Sequence, residues 1–312
     1  GNYFGNNYAV AEELWVSYKN PLSLTDLTIS KSEYINDSYF KEKKTSIHRD
    51  QISYNSFVKD LLISRFKNKE WAISLASGKG QDMFRLSKYN IKNCLFIDID
   101  QQALSQIIMK KHSFQKKIHK FNTRILTKQA NLKTDFKKII KSINKLAPIG
   151  KINLIIFNFA IHYFTDNLKN IRNILNLIST SLQIGGNCIV TCFCGEKIFD
   201  LLADKKIWND YGGANVLKYS IKKKYKELTL SNYGQQIDIK LPFSKNEFYT
   251  EFLVNKTFLI DEALKYGLKI VETYRFCKFL KTYQNFKKLN ESDLHYIKLH
   301  RYYIFEKIKN VV

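Results

Sequence analysis

Two glycines flanking a lysine, Gly78-Lys79-Gly80, follow the apolar run Trp71-Ala72-Ile73-Ser74-Leu75, and an acid, Asp98, closes the next apolar run about 20 residues on. Glycine lets the main chain approach a ligand closely, and a carboxylate at the end of a strand accepts hydrogen bonds from ribose hydroxyls. Strand, tight turn, helix, strand and acid, in that order, are the parts of a nucleoside site. A charge at the carboxyl end of a buried strand needs a partner, which makes Asp98 the strongest single candidate. The turn is not a P-loop, because no Gly-Lys-Ser/Thr ends it, and a full dinucleotide fingerprint is absent. Further along, Phe159-Ala160-Ile161-His162-Tyr163 sets a histidine among aromatics. Taken alone, a histidine in an apolar run is more often a satisfied core residue than a ligand contact.

Such a turn needs elements to hold it. Phe57, Leu61, Leu62, Ile63 and Phe66 fall at helical spacing. After them the pattern predicts strand Trp71 to Leu75, a helix through Phe84 to Lys88, strand Cys94 to Ile99, and a helix from about Gln101 to Lys117. Strand Arg124 to Lys128, helix Phe136 to Ile143, strand Ile152 to Phe157, helix Leu168 to Leu182, a Gly185-Gly186 turn and strand Cys188 to Phe193 follow. Alternation of this kind predicts crossover connections and a doubly wound α/β domain, its mostly parallel sheet covered on both faces. From about 196 to 255 the period is lost, which predicts an insertion. A helix near Thr257 to Tyr266 and strands Leu268 to Tyr274 and Tyr302 to Phe305 then close the sheet. Residues 1–50 read as an arm or linker ahead of a domain over 51–312.

The 312 residues carry 51 Lys+Arg against 28 Asp+Glu, a formal charge of +23, and 45% are hydrophobic. That is ample material for a core and excludes wholesale disorder. A field of that size attracts polyanions through salt-sensitive phosphate contacts; a general bias toward Lys and Asn would look the same. The longest apolar stretch, Ile152 to Phe164, falls short of the roughly 20 residues a bilayer span needs, so no membrane association is expected. Five cysteines, mostly in strand-like runs, predict reduced structural thiols in a cytoplasmic setting. Cys192-x-Cys194 has no second pair at zinc spacing, and no metal is expected. The opening Gly1-Asn2-Tyr3-Phe4, with no Met and no leader pattern, leads to the expectation of a piece of a longer polypeptide.

Four segments in order carry a resemblance. Ser74-Leu75-Ala76-Ser77-Gly78-Lys79-Gly80-Gln81-Asp82 resembles the D-L-G-C-G-K-G-G-D loop of eukaryotic and viral mRNA cap guanine-N7 methyltransferases. Asn158 through Tyr163 resembles their Q-F-x-x-H-Y, Tyr54 to Lys59 their F-N-N-x-x-K helix, and Thr250 to Val254 their P-E-F-L-V. The segment Tyr8 to Asp26 looks like the join between guanylyltransferase and methyltransferase units in capping enzymes of large cytoplasmic DNA viruses, of the poxvirus and asfarvirus kind. The resemblance implies a class I, Rossmann-like, seven-stranded methyltransferase fold with S-adenosylmethionine as donor, S-adenosylhomocysteine as product and capped RNA as acceptor. It also implies triphosphatase and guanylyltransferase domains in a longer chain, a possible stimulatory protein subunit, and residence in the host cytoplasm or virion.

Carried over by position, Lys59, Gly78, Asp82, Asp98, Asn131 and Asn158 are implied for the donor. Asn55, Phe159, His162, Tyr163, Glu251 and Tyr302 (or Tyr303) are implied around the guanine, and Lys79 and Lys110 on the triphosphate. Before the family match, Glu251 reads more readily as a surface carboxylate and Lys110 as one lysine of a solvated helix. Ser74 and Ala76 stand where the family has Asp and Gly, which leaves open a degenerate fold acting as a basic RNA-binding module or regulatory subunit. Methylation of a ribose 2′-hydroxyl would need a Lys-Asp-Lys-Glu set, which the sequence does not assemble. Because guanine N7 is already nucleophilic, no proton-transfer residue is expected, and His162, Tyr163 and Glu251 are expected to position the base.

Overall fold

A computed structural model of the chain describes residues 49–117, 122–134, 136–212, 216–241 and 247–310. The expected arm lies outside the described residues except for its last two positions, which begin the first helix. In chain order the elements are α1 (Arg49–Ser64), β1 (Trp71–Leu75), α2 (Met83–Lys88), β2 (Asn93–Asp98), α3 (Gln101–Lys117), β3 (Arg124–Gln129), α4 (Phe136–Ile143), β4 (Ile152–Asn158), α5 (Leu168–Ser181) and β5 (Leu182–Phe193). They continue with α6 (Gly195–Leu201), β6 (Ile207–Tyr211), β7 (Leu217–Lys223), β8 (Gln236–Lys240), β9 (Tyr249–Phe252), α7 (Lys256–Lys265), β10 (Leu268–Arg275), α8 (Glu291–Lys298) and β11 (His300–Lys307).

Seven strands form one sheet in the order β10-β11-β5-β4-β1-β2-β3. Strands β1 to β5 pair in parallel, and β11 runs antiparallel between β5 and β10. The near-continuous apolar runs of β1, β2 and β4 suit strands buried on both faces. On one face Ile139 and Ile143 of α4, Ile171 to Ile178 of α5 and Leu259 and Ala263 of α7 pack on the sheet. On the other face Tyr54, Val58 and Leu62 of α1, Met83 and Leu86 of α2, Leu104 and Ile107 of α3 and Ile297 of α8 do so. Strand order reverses between β1 and β4, and ligands of open α/β sheets bind at the carboxyl ends of strands flanking such a switch.

Two differences from the sequence expectation have physical causes. Gly185-Gly186 is not a turn before β5 but a kink inside it, where Gly185 takes φ +76° and the register of β4 against β5 shifts. A side chain at Gly186 would meet the Ile152 carbonyl at 2.8 Å. Within 196–255, where no period is legible, α6 is followed by a four-stranded antiparallel sheet, β6-β7-β8-β9. It has its own core of Ile198, Tyr219, Ile221, Ile237 and Ile239, shared with Tyr296 and Leu299 of the α8 segment. Its alternation is masked by Lys218 and Ser220, which are polar yet buried.

Candidate active site

The loop after β1 is built on left-handed backbone. Ala76, Gly78 and Gly80 have φ of +46°, +51° and +63°. The turn closes through Ser77 N–H to the Ile97 carbonyl and Gly80 N–H to the Ser77 carbonyl. A Cβ at Gly80 would come within 2.7 Å of Ile107, so this glycine lets α3 close on the loop. Lys110, also on α3, donates its ammonium to the Lys79 carbonyl, so the two lysines sit side by side at the loop.

Asp98, at the end of β2, ties into that loop. Its Oδ2 accepts Gly78 N–H at 2.6 Å and its Oδ1 accepts Asp100 N–H at 2.8 Å. Burial pushes its carboxyl above the ordinary range, against the pull of the Asp100, Gly78 and Ile99 N–H groups. A carboxylate has four acceptor positions, so at least one remains. The next residue, Ile99, is 61% exposed, a bare apolar face beside the acid that pattern reading overlooked. Asn131, past β3, is exposed, and its Oδ1 accepts Lys133 N–H at 3.0 Å.

Lys59 of α1 and Asp82 before α2 meet at 2.9 Å, both buried. Asp82 also takes Arg85 Nη1 at 2.7 Å and Asn158 Nδ2 at 2.9 Å. Burial alone would raise the Asp82 carboxyl; Lys59 and Arg85 beside it hold it below the ordinary range. Arg85 is a residue sequence reasoning missed, because an arginine on a six-residue helix carries no pattern. Asn158 is held in turn by Thr191 Oγ1 at 3.0 Å. The orphaned polar atoms Asn55 Oδ1 and Ser77 Oγ are also buried on these elements.

Immediately after β4 the chain is strained. Phe159 sits at φ +53°, a conformation rare for a bulky residue and found where surroundings over-determine it. Its N–H is anchored on the Thr191 carbonyl at 2.8 Å. A single 3-10 turn, Ile161–Tyr163, then buries His162, whose ring lies 4.2 Å from that of Tyr163. Glu251 of β9 comes from the small sheet, with its Oε1 3.4 Å from His162 Nε2. Both ring nitrogens of His162 and Glu251 Oε2 are buried with no hydrogen-bond partner. Burial pushes the Glu251 carboxyl up to about 8 and pulls His162 down to about 3, with the His300 ring adding to the latter. Both are therefore neutral near pH 7, with hydrogen-bonding capacity unspent, a state that buried polar groups avoid unless a ligand completes them.

The family-implied Tyr302 is not among these groups. It is fully buried, stacks on Phe279 at 5.7 Å and gives its hydroxyl to Glu272 of β10. Two residues earlier on the same strand, the His300 ring lies 4.4 Å from that of Phe193, 5.5 Å from Phe276 and 5.6 Å from Phe159. Its Nδ1 lies 2.9 Å from the Tyr296 carbonyl, which can only accept, so Nδ1 carries the proton. Tyr303 is also fully buried, on the opposite face, and its hydroxyl has no partner. Among the described residues no group of three or more His, Cys, Asp or Glu could hold a metal ion, and no helix is long and apolar enough to cross a membrane.

Comparison with known proteins supplies the family context. Residues 32–299 match the mRNA (guanine-N(7))-methyltransferase domain. The chain is 34% identical over 295 residues to the mRNA-capping enzyme of African swine fever virus (isolate Tick/South Africa/Pretoriuskop Pr4/1996), covering 92% of this chain and 34% of that protein. It is 25% identical over 330 residues to the probable mRNA-capping enzyme of Acanthamoeba polyphaga mimivirus, covering 91% of this chain and 28% of that one. It thus spans about a third or less of the curated relatives it matches. Among solved structures it is similar to a putative S-adenosylmethionine-dependent methyltransferase from Listeria monocytogenes, at TM-score 0.55 and 15% identity, covering 83% of this chain and 99% of that one. A second, from Clostridium acetobutylicum ATCC 824, aligns at TM-score 0.52 and 16% identity over 83% and 93%. These two likenesses show the fold, a class I S-adenosylmethionine-dependent methyltransferase architecture.

Proposed function

Because the chain belongs to the mRNA (guanine-N(7))-methyltransferase family, we propose that it transfers a methyl group from S-adenosylmethionine to N7 of the terminal guanine of capped RNA. When bound, the donor supplies an electrophilic methyl carbon on a sulfonium. The residues present fit it. Asp98 keeps acceptor capacity for a ribose hydroxyl, and Ile99 offers an apolar face to the adenine. Asn131 retains one lone pair for the adenine amine. Asp82 and Lys59 match the two charges of the amino-acid end, with Arg85 as a second cation and the Gly78 backbone lining the approach. Asn158 steadies Asp82 from behind.

Guanine recognition is assigned to the unspent groups. Glu251, releasing its proton to solvent as the base docks, accepts from guanine N1–H and the exocyclic amine, while Asn55 and His162 present polar atoms to the ring edge. Phe159, Tyr163 and His300 enclose the ring, a base stacked on an aromatic face gaining about 1–3 kcal/mol. Lys79 and Lys110 neutralise the triphosphate. A histidine pulled down to about 3 is a poor proton acceptor at neutral pH, so His162 positions the base. The rate then comes from holding nucleophile and methyl carbon at near-attack geometry. The small sheet carrying Glu251 serves as the substrate-binding insertion. The longer relatives favour covalent fusion to triphosphatase and guanylyltransferase domains and a cytoplasmic viral setting.

The observation that carries the reading is the buried Glu251–His162 pair with unsatisfied polar atoms at the switch of the sheet. Methyl transfer to GpppRNA, with N7-methylated RNA as the control, tests it. Asp98→Ala is expected to abolish donor binding in calorimetry. Glu251→Ala should retain donor binding and lose methylation; full activity of Glu251→Ala on capped RNA would overturn the guanine assignment.

A further inference from the structure

We propose that a cleft between α1 and α2, beside the donor pocket with which it shares Arg85 and apart from the guanine pocket, receives the base of the first transcribed nucleotide of the capped RNA. The proposal rests on the acceptor reading given above and extends it to the next residue of the substrate. The cleft has a volume of about 410 Å³, the scale of a small-ligand site, and its walls include Phe57, Asp60, Gln81, Phe84, Arg85 and Tyr283.

Three observations support a nucleotide as occupant. First, Phe84 is 47% exposed and packs edge-on against Phe114 at 6.2 Å. An accessible ring on a strongly basic chain is a stacking surface for a base of any identity. Second, the cleft and the lysine pair are carried by adjoining stretches of chain. Gln81 lies two residues beyond Lys79, and Phe114 is one helical turn beyond Lys110, whose ammonium is fastened to the Lys79 carbonyl. A chain whose triphosphate crosses these lysines reaches the cleft next. Third, the cleft holds a donor beside an acceptor. Arg85 Nε is buried without a hydrogen-bond partner, 3.9 Å from Asp60 Oδ1. Arg85's other nitrogens are engaged with Asp82, the Gln81 carbonyl and Ser56, and Asp60 Oδ2 takes Lys88 and Tyr89. Every base carries an adjacent donor and acceptor along its Watson–Crick edge, so this pair favours a base without selecting one.

Steady-state methylation of GTP and of GpppA separates the cleft from the guanine pocket, because GTP has the guanine and phosphates but no second nucleoside. Phe84→Ala is expected to raise KM for GpppA about five- to tenfold, the low end of an aromatic stacking contribution, and to leave KM for GTP unchanged. Phe84→Tyr, which keeps the ring, should restore KM for GpppA. A cap dinucleotide with 2-aminopurine as its second base should lose fluorescence on binding the unaltered chain, and much less on binding Phe84→Ala. The proposal is overturned if Phe84→Ala leaves GpppA unaffected, or if it weakens GTP and GpppA equally, which would make Phe84 a support of the donor loop. Failure of the unaltered chain to methylate either acceptor removes the acceptor reading, and this extension with it.

Discussion

At Ala76 a β-carbon occupies backbone of φ +46°, where the family carries glycine. An L-residue in that region costs about 1–2 kcal/mol, and glycine gives back part of this through a freer unfolded chain. Ala76→Gly is therefore expected to stabilise the fold by about 0.5–1 kcal/mol in chemical denaturation. Glu251 makes the complementary case in side-chain protonation. Its carboxyl is pushed by burial from the ordinary range to about 8. Below the ordinary carboxylate range both folded and unfolded chains hold the proton, and there is no penalty. As pH rises to about 8 only the unfolded chain releases it, so the unliganded fold weakens at up to ~1.4 kcal/mol per pH unit. Glu251→Gln should remove that slope, melting higher than the unaltered chain at pH 8 and equal to it near pH 4, while losing methylation. His162 has the opposite sign. Its ring is pulled down to about 3, so its stability contribution is complete above its ordinary range and lost as pH falls toward 3. At this scale the sequence singled out residues that a motif surrounds, as at Asp98 and His162. On the last strand it named Tyr302 or Tyr303, since each face of β11 offers a tyrosine, and only packing shows His300 among the rings of Phe159, Phe193 and Phe276.

Among the elements, the parallel strands were legible because strands covered on both sides must be apolar throughout, as Ile152 to Phe157 is. The β6–β9 sheet was not, because its contact with α8 is partly ionic. Lys218 of β7 is fully buried and bonds Asp293, which also completes the capping box of α8 with Asn290. His295 of the same helix reaches Asp210 of β6 at 3.2 Å. One buried pair thus registers the sheet bearing Glu251 against the helix preceding His300. Removing one partner of such a pair costs about 3–5 kcal/mol. Lys218→Ala is expected to show that loss in denaturation and a raised KM for the cap, with donor affinity in calorimetry unchanged because Lys59, Asp82 and Asp98 lie on other elements. A matched loss of donor affinity would show that the small sheet also supports the donor cleft.

Over the whole molecule, under the proposed function an excess of 23 positive charges would act on the RNA and hardly on a donor whose charges would be met locally. KM for capped RNA should therefore rise steeply with salt, linearly on logarithmic axes, whereas donor affinity should stay nearly flat; parallel slopes would assign the charge to composition alone. The order of the seven strands has a consequence for how this polypeptide is made. The last of them, β11, is inserted between β5 and β10, both synthesised earlier. Until it emerges, each of those strands presents an unpaired flank of the kind that invites mispairing. His300 arrives with that closing strand, so assembly of the aromatic wall and burial of the exposed flanks are completed together, after the other six strands of the sheet have been made. A ribosome stalled before residue 300 would hold a nascent chain in which Asp98 and the turn after β1 have already been made, but the partner strand that seals the sheet has not.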